Sequence, residues 1–379
     1  MMSSLRALLH QRETRAAVAL WSLIPTVFLF FALTLAVDPV ANLDRLRLGV
    51  TMLDQGVETP QGQVAVGPRL IEGLTNELGI DAVTYSTEAD LRTAVEARDV
   101  SGGVVVPAGM TVDLQAGYPV ELTIVRTDAN DSFGNAFMTN LAGQLAANLN
   151  AVVPAIVSGQ PPALPAIAVA TENLAATPDF RFPALPGTLL LPLWIASVAF
   201  AALLSRSGDR VRATAGASRT GIAELVVAAV AAGIASAVIT LDVALFSWRS
   251  DIDLVGLFGL LWLGLIAIGW LLLGTVRLVG LGAGVVLGVL ALFIQQPVSG
   301  AAFPATFAPD VVRWAEPVAP LRYLVEGVRN VLIGGSTTTD VVVALGLLAV
   351  AGAVLVAAGT VRLSVGADRN VPRETLATA

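Results

Sequence analysis

Hydrophobic and polar positions divide the chain unevenly: one apolar span, a long and mostly polar stretch, then five apolar spans in the C-terminal half. Residues 16–37 carry no charge. At about 1.5 Å per residue they reach roughly 33 Å, enough to cross a bilayer core of about 30 Å. The later runs lie near residues 186–204, 221–247, 254–274, 278–295 and 341–361. This pattern predicts an α-helical polytopic membrane protein of six transmembrane helices, one plus five, with an extracytoplasmic α/β domain inserted after the first. Residues 16–37 are longer than a signal-peptide core and no clean Ala-x-Ala site follows, so a retained signal anchor is expected, with Pro25 as a kink site. Leu5, Leu8 and Leu9 share one side of residues 3–15, which suits either a short helix lying along the membrane surface or a frayed terminus.

Within the polar stretch, alternation and runs of β-branched residues predict strands at 46–53, 80–85, 103–107 and 120–126. Leu70, Ile71, Leu74 and Leu78 share one helical face over residues 67–79. Thr87-Glu88-Ala89-Asp90 resembles a capping box that opens a helix running to about Arg98. Phe133, Phe137, Leu141, Leu145 and Leu149 recur every fourth residue in a helix from about Ser132 to Val152, and that stripe suits either the module's own sheet or a subunit contact. Asn130-Asp131-Ser132 reads as a glycosylation sequon or, more simply, as that helix's N-cap. Prolines 154, 161, 162, 165, 178, 183 and 186 predict an extended linker. The domain boundaries that follow are 1–37 (N-terminal segment and first span), 38–153 (α/β domain), 154–185 (linker), 186–362 (five-helix membrane domain) and 363–379 (tail).

Composition sharpens this picture. Hydrophobic residues make up 55% of the chain and charged residues 13%, where a soluble chain has about a quarter charged. There is no Cys, one His (His10), and every one of the 22 basic residues is Arg. Disulfides, Cys/His metal sites, Schiff-base chemistry and a Walker A phosphate loop are thereby excluded from the sequence. A net charge of −7 without an Arg-rich tract points to no nucleic-acid partner. The module's carboxylates (Asp54, Glu58, Glu72, Glu77, Asp81, Glu88 and Asp90) lack activating partners and read as a solvated surface. Arginines then set the orientation: Arg6, Arg12 and Arg15 before the first span, Arg206, Arg210, Arg212 and Arg219 in an expected loop at 205–220, Arg277 alone between spans four and five, and Arg362, Arg369 and Arg373 at the end. Both termini are expected in the cytoplasm, with residues 38–185 and 297–340 outside.

Several positions inside the spans stand out. Gly280, Gly284 and Gly288 form a small-xxx-small ladder suited to close helix packing. Asp242 in the outer part of the third span reads either as a functional carboxylate or as one that snorkels to the outer surface near Arg249, and Trp194, Trp248, Trp262 and Trp270 read as at least partly interfacial anchors. Residues 320–335 predict a short amphipathic helix opened by Pro320 and ended by Gly334-Gly335. Leu321, Val325, Val328 and Leu332 share one face. Arg322, Glu326 and Arg329 share the other, where both arginines are within pairing distance of Glu326. At about 22 Å it is too short to cross, so it lies at the outer interface or re-enters the membrane.

Pro320-x-x-Tyr323, Gly327-x-Arg329 and Gly334-Gly335 before the last span resemble the ABC transporter type-2 permease superfamily. The Val50–Gly56 strand and turn, Gly62 and Gly67, Gly103-Val-Val-Val-Pro107 with Asp113-Leu114, and Phe180–Ala199 are similar to its YhgE/Pip-like (phage infection protein) branch. The resemblance implies a permease subunit of an exporter of amphiphilic or lipid-like substrates. It further implies a homodimer or heterodimer in the bacterial plasma membrane, driven by a separate cytoplasmic ATP-binding-cassette ATPase, with ATP on that partner and no cofactor or catalytic residue expected in this chain. The resemblance also implies that the segment holding Arg206, Asp209, Arg210, Arg212 and Arg219 touches the ATPase. It implies further that Trp194, Phe200, Leu290 and Phe293 on spans two and five border the translocation path. A non-transporting envelope scaffold or receptor, such as a secretion accessory or phage docking protein, is the alternative.

Overall fold

The structure, a computed structural model, describes residues 38–39, 41–59, 62–157, 167–177, 183–246, 251–334 and 337–369. The span expected at 16–37, Trp248, Arg249, Gly335 and the side chain of Leu149 lie outside the described residues.

β1 (Arg47–Met52) runs through the middle of the N-terminal module, with its inner four residues buried. The hairpin β2 (Val57–Thr59) and β3 (Gly62–Val64) follows, then α1 (Val66–Leu78) and β4 (Asp81–Tyr85). Next come α2 (Glu88–Ala97), β5 (Gly102–Val106), α3 (Met110–Gln115), β6 (Val120–Arg126), α4 (Ser132–Val157) and β7 (Ile167–Asn173). Five strands form one sheet in the order β4-β1-β5-β6-β7, parallel except where β5 meets β6. β7 corrects the linker reading. The prolines flank a seven-residue strand that pairs in register with β6, Val120 opposite Ile167 through Arg126 opposite Asn173. Its β-branched Ile167, Val169 and Thr171 suit a strand at the sheet edge.

Local chemistry fixes the helix ends. The Thr87 hydroxyl accepts from the Asp90 amide at 3.1 Å and caps α2. Asp131 Oδ1 accepts from the Gly134 amide at 2.8 Å and caps α4. Asn130 is buried and donates to the Ser101 carbonyl at 2.7 Å, which rules out the sequon reading. Asp54 is 4% exposed and so is not part of the solvated surface. Its carboxylate ties the turn after β1 to α1 and α3 by accepting from the Thr111 hydroxyl and the amides of Gly56, Gly67 and Thr111. Burial pushes its pKa up, but these bonds together outweigh that and hold it below the usual carboxylate value.

Five long helices follow: α5 (Leu185–Ala215), α6 (Ala217–Phe246), α7 (Leu254–Val279), α8 (Leu281–Val298) and, at the C-terminal end, α11 (Thr339–Arg369). All five are long and apolar enough to cross a membrane. α7 is the central helix, and its buried residues form one core with those of α5, α8 and α11. Indole N–H groups staple the bundle. Trp194 donates to the Gly288 carbonyl at 2.8 Å, Trp262 to Ala229 at 2.8 Å and Trp270 to Leu225 at 3.1 Å. These three tryptophans therefore join helix to helix, and Trp194 is fully inside.

The segment between α8 and α11 holds the short α9 (Asp310–Arg313) and α10 (Pro320–Ile333). It joins the module to the bundle. The Phe133 amide donates to the Ala302 carbonyl at 3.0 Å, and Phe307, 1% exposed, enters the module's own core. That core also holds Met138, Leu141 and Leu145 of α4, so the α4 stripe packs on its own sheet.

Candidate functional site

Two polar sites interrupt this apolar framework, one at each end of the bundle. At the first end, the loop expected at 205–220 is helical almost throughout. α5 continues to Ala215, and only Gly216, at φ +83°, separates it from α6. Arg, Ala and Ser are compatible with helix, so charge alone did not mark a loop there. Arg206, Asp209, Arg210 and Arg212 project from the last turns of α5, and Arg219 from the first turn of α6.

Arg277 is not alone in a turn. It belongs to the last turn of α7, is 5% exposed, and is the centre of a buried ionic node. Its guanidinium bonds both carboxylate oxygens of Glu224 (Nε to Oε2 at 3.0 Å), Asp209 Oδ1 at 2.5 Å and the Ser205 carbonyl at 3.1 Å. Arg212 also reaches Asp209, at 3.0 Å. The planar fork of arginine suits several acceptors at once. Close approach comes from glycine. A Cβ on Gly208 would strike Glu224 and Arg277, and one on Gly359 would lie 2.6 Å from Arg277 Cβ. The node thus joins α5, α6, α7 and α11. Sequence reading passed over Glu224. The signal was present, since an ionisable residue at the fourth position of the apolar run 221–247 needs a partner.

At the opposite end α10 packs its apolar face on α7 and α11. Leu321, Val325, Val328 and Leu332 are all buried, and Gly327 admits Leu260 and Val341. Its polar face departs from the expected pairing. Glu326 bonds Arg98 of the module at 3.4 Å, Arg322 bonds Glu316 at 3.2 Å, and Arg329 donates to the Gly300 carbonyl at 2.8 Å. Tertiary partners with fixed positions displaced the local i+3 and i+4 pairs, which are worth only about 0.2–0.5 kcal/mol. Tyr323 donates to the Pro317 carbonyl at 2.9 Å, and buried Gln295 accepts from the Leu321 amide in the first turn of α10 at 3.3 Å. Pro320 opens the helix and Gly334, at φ +100°, ends it.

The glycine ladder is shorter than its spacing suggested. Gly280, at φ +93°, is the turn between α7 and α8, so its position in the ladder is corrected. Gly284 and Gly288 are buried: a Cβ on the first would lie 2.6 Å from Val276 Cα, and on the second 3.1 Å from Leu272 and Val198. Phe200, Leu290 and Phe293 are half-buried on α5 and α8, whereas Trp194 is enclosed by the bundle and lines no open wall. Asp242 is exposed on α6. Among the described residues, no group of His, Cys, Asp and Glu could hold a metal ion.

Five apolar helices of crossing length, an α/β module ahead of them and a buried ionic node at the far end define a multi-pass membrane protein. Residues 18–361 match the family of ABC-2 family transporter proteins, and the chain belongs to that family. The family is a membrane transport component that works with an ATPase partner and is generally non-enzymatic. No curated protein and no solved structure matches the chain.

Proposed function

We propose that the chain is the permease subunit of an ATP-binding-cassette exporter of the YhgE/Pip-like branch. It moves an amphiphilic or lipid-like substrate by alternating access between two such subunits, and a separate ATPase supplies the energy. The observation that carries this reading is the α5–α6 hairpin, whose Arg206, Arg210, Arg212 and Arg219 are displayed at its end while Arg277 locks its base to α7. An ATPase pushing on such a hairpin moves α7 with it, because the buried node resists shear more than an exposed loop would. In this reading the hairpin end and both termini face the cytoplasm of a bacterial cell and the α/β module lies outside, an orientation that the arginine bias supports. Phe200, Leu290 and Phe293 then border the path along α5 and α8.

Purification from native membranes tests the proposal. A stoichiometric ATP-binding-cassette protein should accompany the chain and be lost when the four hairpin arginines are replaced by Glu. Retention of the ATPase by that variant, or labelling of the hairpin from outside intact cells, would overturn the reading.

A further inference from the structure

A cavity of about 350 Å³ opens where the module meets α10. That is within the range of about 300–1,000 Å³ found for small-molecule sites. Its walls come from the start of β1, the turn after α2, the N-terminus of α4, the Ser299–Thr306 segment and the polar face of α10. Five arginines line it: Arg45, Arg47, Arg98, Arg322 and Arg329. Only three carboxylates do, Asp99, Asp131 and Glu326.

Two of these arginines are bonded closely, Arg322 to Glu316 at 3.2 Å and Arg329 through Nη2 to the Gly300 carbonyl at 2.8 Å, and others are held at longer range. Arg45 meets Asp310, itself 77% exposed at the side chain, at 3.7 Å. Arg47 is exposed and donates to the Asp99 carbonyl at 3.3 Å. Arg98 and Glu326 are 3.4 Å apart. Arg329 is 5% exposed, its Nε is buried, and no acceptor meets that Nε. A desolvated guanidinium donor without an acceptor is costly; the charge of nearby Asp131 favours the Arg329 cation, and burial outweighs it. Burial raises the Asp131 pKa to about 6 despite the Gly134 amide and the charge of Arg329. Arg329 is itself pulled down to about 10, first by burial and then by the charge of Arg98, so it remains a cation at neutral pH. The only positive φ outside glycine among the described residues is at Arg98 (φ 64°), on the cavity wall. Arg98 is the left-handed residue that ends α2, with its amide bonded to the carbonyls of Ala94 and Val95.

We propose that this cavity binds the phosphate-type oxyanion of an amphiphile, with Arg329 at its floor and Arg47 and Arg322 at its sides. Arginine forks match oxyanion geometry through paired donors. The neighbouring surface favours an amphiphile over a free ion. α9, whose Asp310 reaches Arg45, exposes Val311 by 69%, and Trp314 directly after it by 67%. This is an apolar shelf beside a cationic cavity. The inference does not depend on transport and holds for a permease and for a receptor alike.

The full chain, purified in a neutral detergent, is titrated by calorimetry with dihexanoyl phosphatidic acid, inorganic phosphate and dihexanoylglycerol. The phosphatidic acid should bind saturably, phosphate should compete with it, and dihexanoylglycerol should do neither. Arg47→Gln and Arg322→Gln should each weaken binding about tenfold, the loss of one charge-assisted hydrogen bond. Arg329→Gln should abolish it. Because Arg329 is buried and its variant is at risk of misfolding, exposed Arg47 carries the decision. Tighter binding of the amphiphile identifies a headgroup as the ligand, and equal binding of phosphate identifies a free oxyanion at the same site. Absence of saturable binding by either probe, or unchanged affinity in Arg47→Gln and Arg322→Gln, overturns the proposal.

Discussion

A buried guanidinium is stable only while its acceptors remain. Glu224 is 3% exposed and faces Arg277, 5% exposed, so removing Arg277 leaves the Glu224 carboxylate buried without its partner, and removing Glu224 leaves Arg277 only the more exposed Asp209 and the Ser205 carbonyl. Glu224→Ala should cost about 3–5 kcal/mol, read as a fall in thermal midpoint in detergent, while the double variant Glu224→Leu with Arg277→Met should recover most of it. Asp131 shows the converse, a carboxyl held where its charge is unwelcome. Its folded pKa of about 6 is above the ordinary 3.8, so the folded chain binds the proton more tightly than the unfolded one. The stability this contributes is complete below about pH 4 and is lost as pH rises through 6. Asp131→Asn keeps an acceptor for the Gly134 amide and carries no charge. The variant should therefore be more stable than the wild type at pH 7.5, by up to about 3 kcal/mol, with the advantage gone at pH 4. A difference between the two proteins that is flat with pH would show that Asp131 is not desolvated.

At the scale of elements, the bundle depends on backbone approach between α7 and α11. A Cβ on Gly352 would lie 2.6 Å from the Leu271 amide nitrogen and 2.8 Å from the Trp270 carbonyl carbon, whereas Gly346, less than two turns earlier, has nothing within 4 Å. Gly352→Val should therefore separate the two helices and abolish recovery of folded protein. Gly346→Ala should be tolerated and gain up to about 1 kcal/mol of helix propensity, and size-exclusion profiles of the two variants give the check. This contrast was not legible in the sequence, where both residues read as ordinary glycines of an apolar span. What was legible had strong period: the five apolar helices, four of the five strands of the sheet, the Thr87 cap and the short helix at 320. What was hidden depended on partners distant in the chain. β7 is an edge strand flanked by prolines, and its identity comes from β6. Charge at 205–215 suggested a loop, although those residues continue a helix whose Asp209 is held by Arg277. Arg322, Glu326 and Arg329 were correctly placed on one face, but Glu316, Arg98 and Gly300 are the partners they take.

At the scale of the whole molecule, the module and the segment ahead of α10 share an aromatic joint that the sequence separates by more than 150 residues. The aromatic ring of Phe133 lies 5.8 Å from that of Phe303 and 5.5 Å from that of Phe307, while its amide is held by Ala302. Phe307 is counted with the sheet's core rather than with the helices that precede it. A displacement of α8 therefore pulls on the N-terminus of α4, and with it on Asp131 and the rim of the arginine-lined cavity. Truncating the anchor to Ala removes a fully buried ring and should cost the module about 3–5 kcal/mol. Hydrogen exchange locates the loss. In Phe307→Ala, amides of β1, β5 and β6 should exchange faster, because that sheet loses part of its core. Amides around Glu224 and Arg277, at the far end of a separate core, should keep their protection. Equal acceleration at both ends would mean that the two bodies unfold as one cooperative unit. Unchanged exchange in the sheet would mean that the Phe307 ring contributes nothing to the joint, and that the Phe133–Ala302 hydrogen bond and the Arg98–Glu326 and Arg45–Asp310 bridges hold the module in its place.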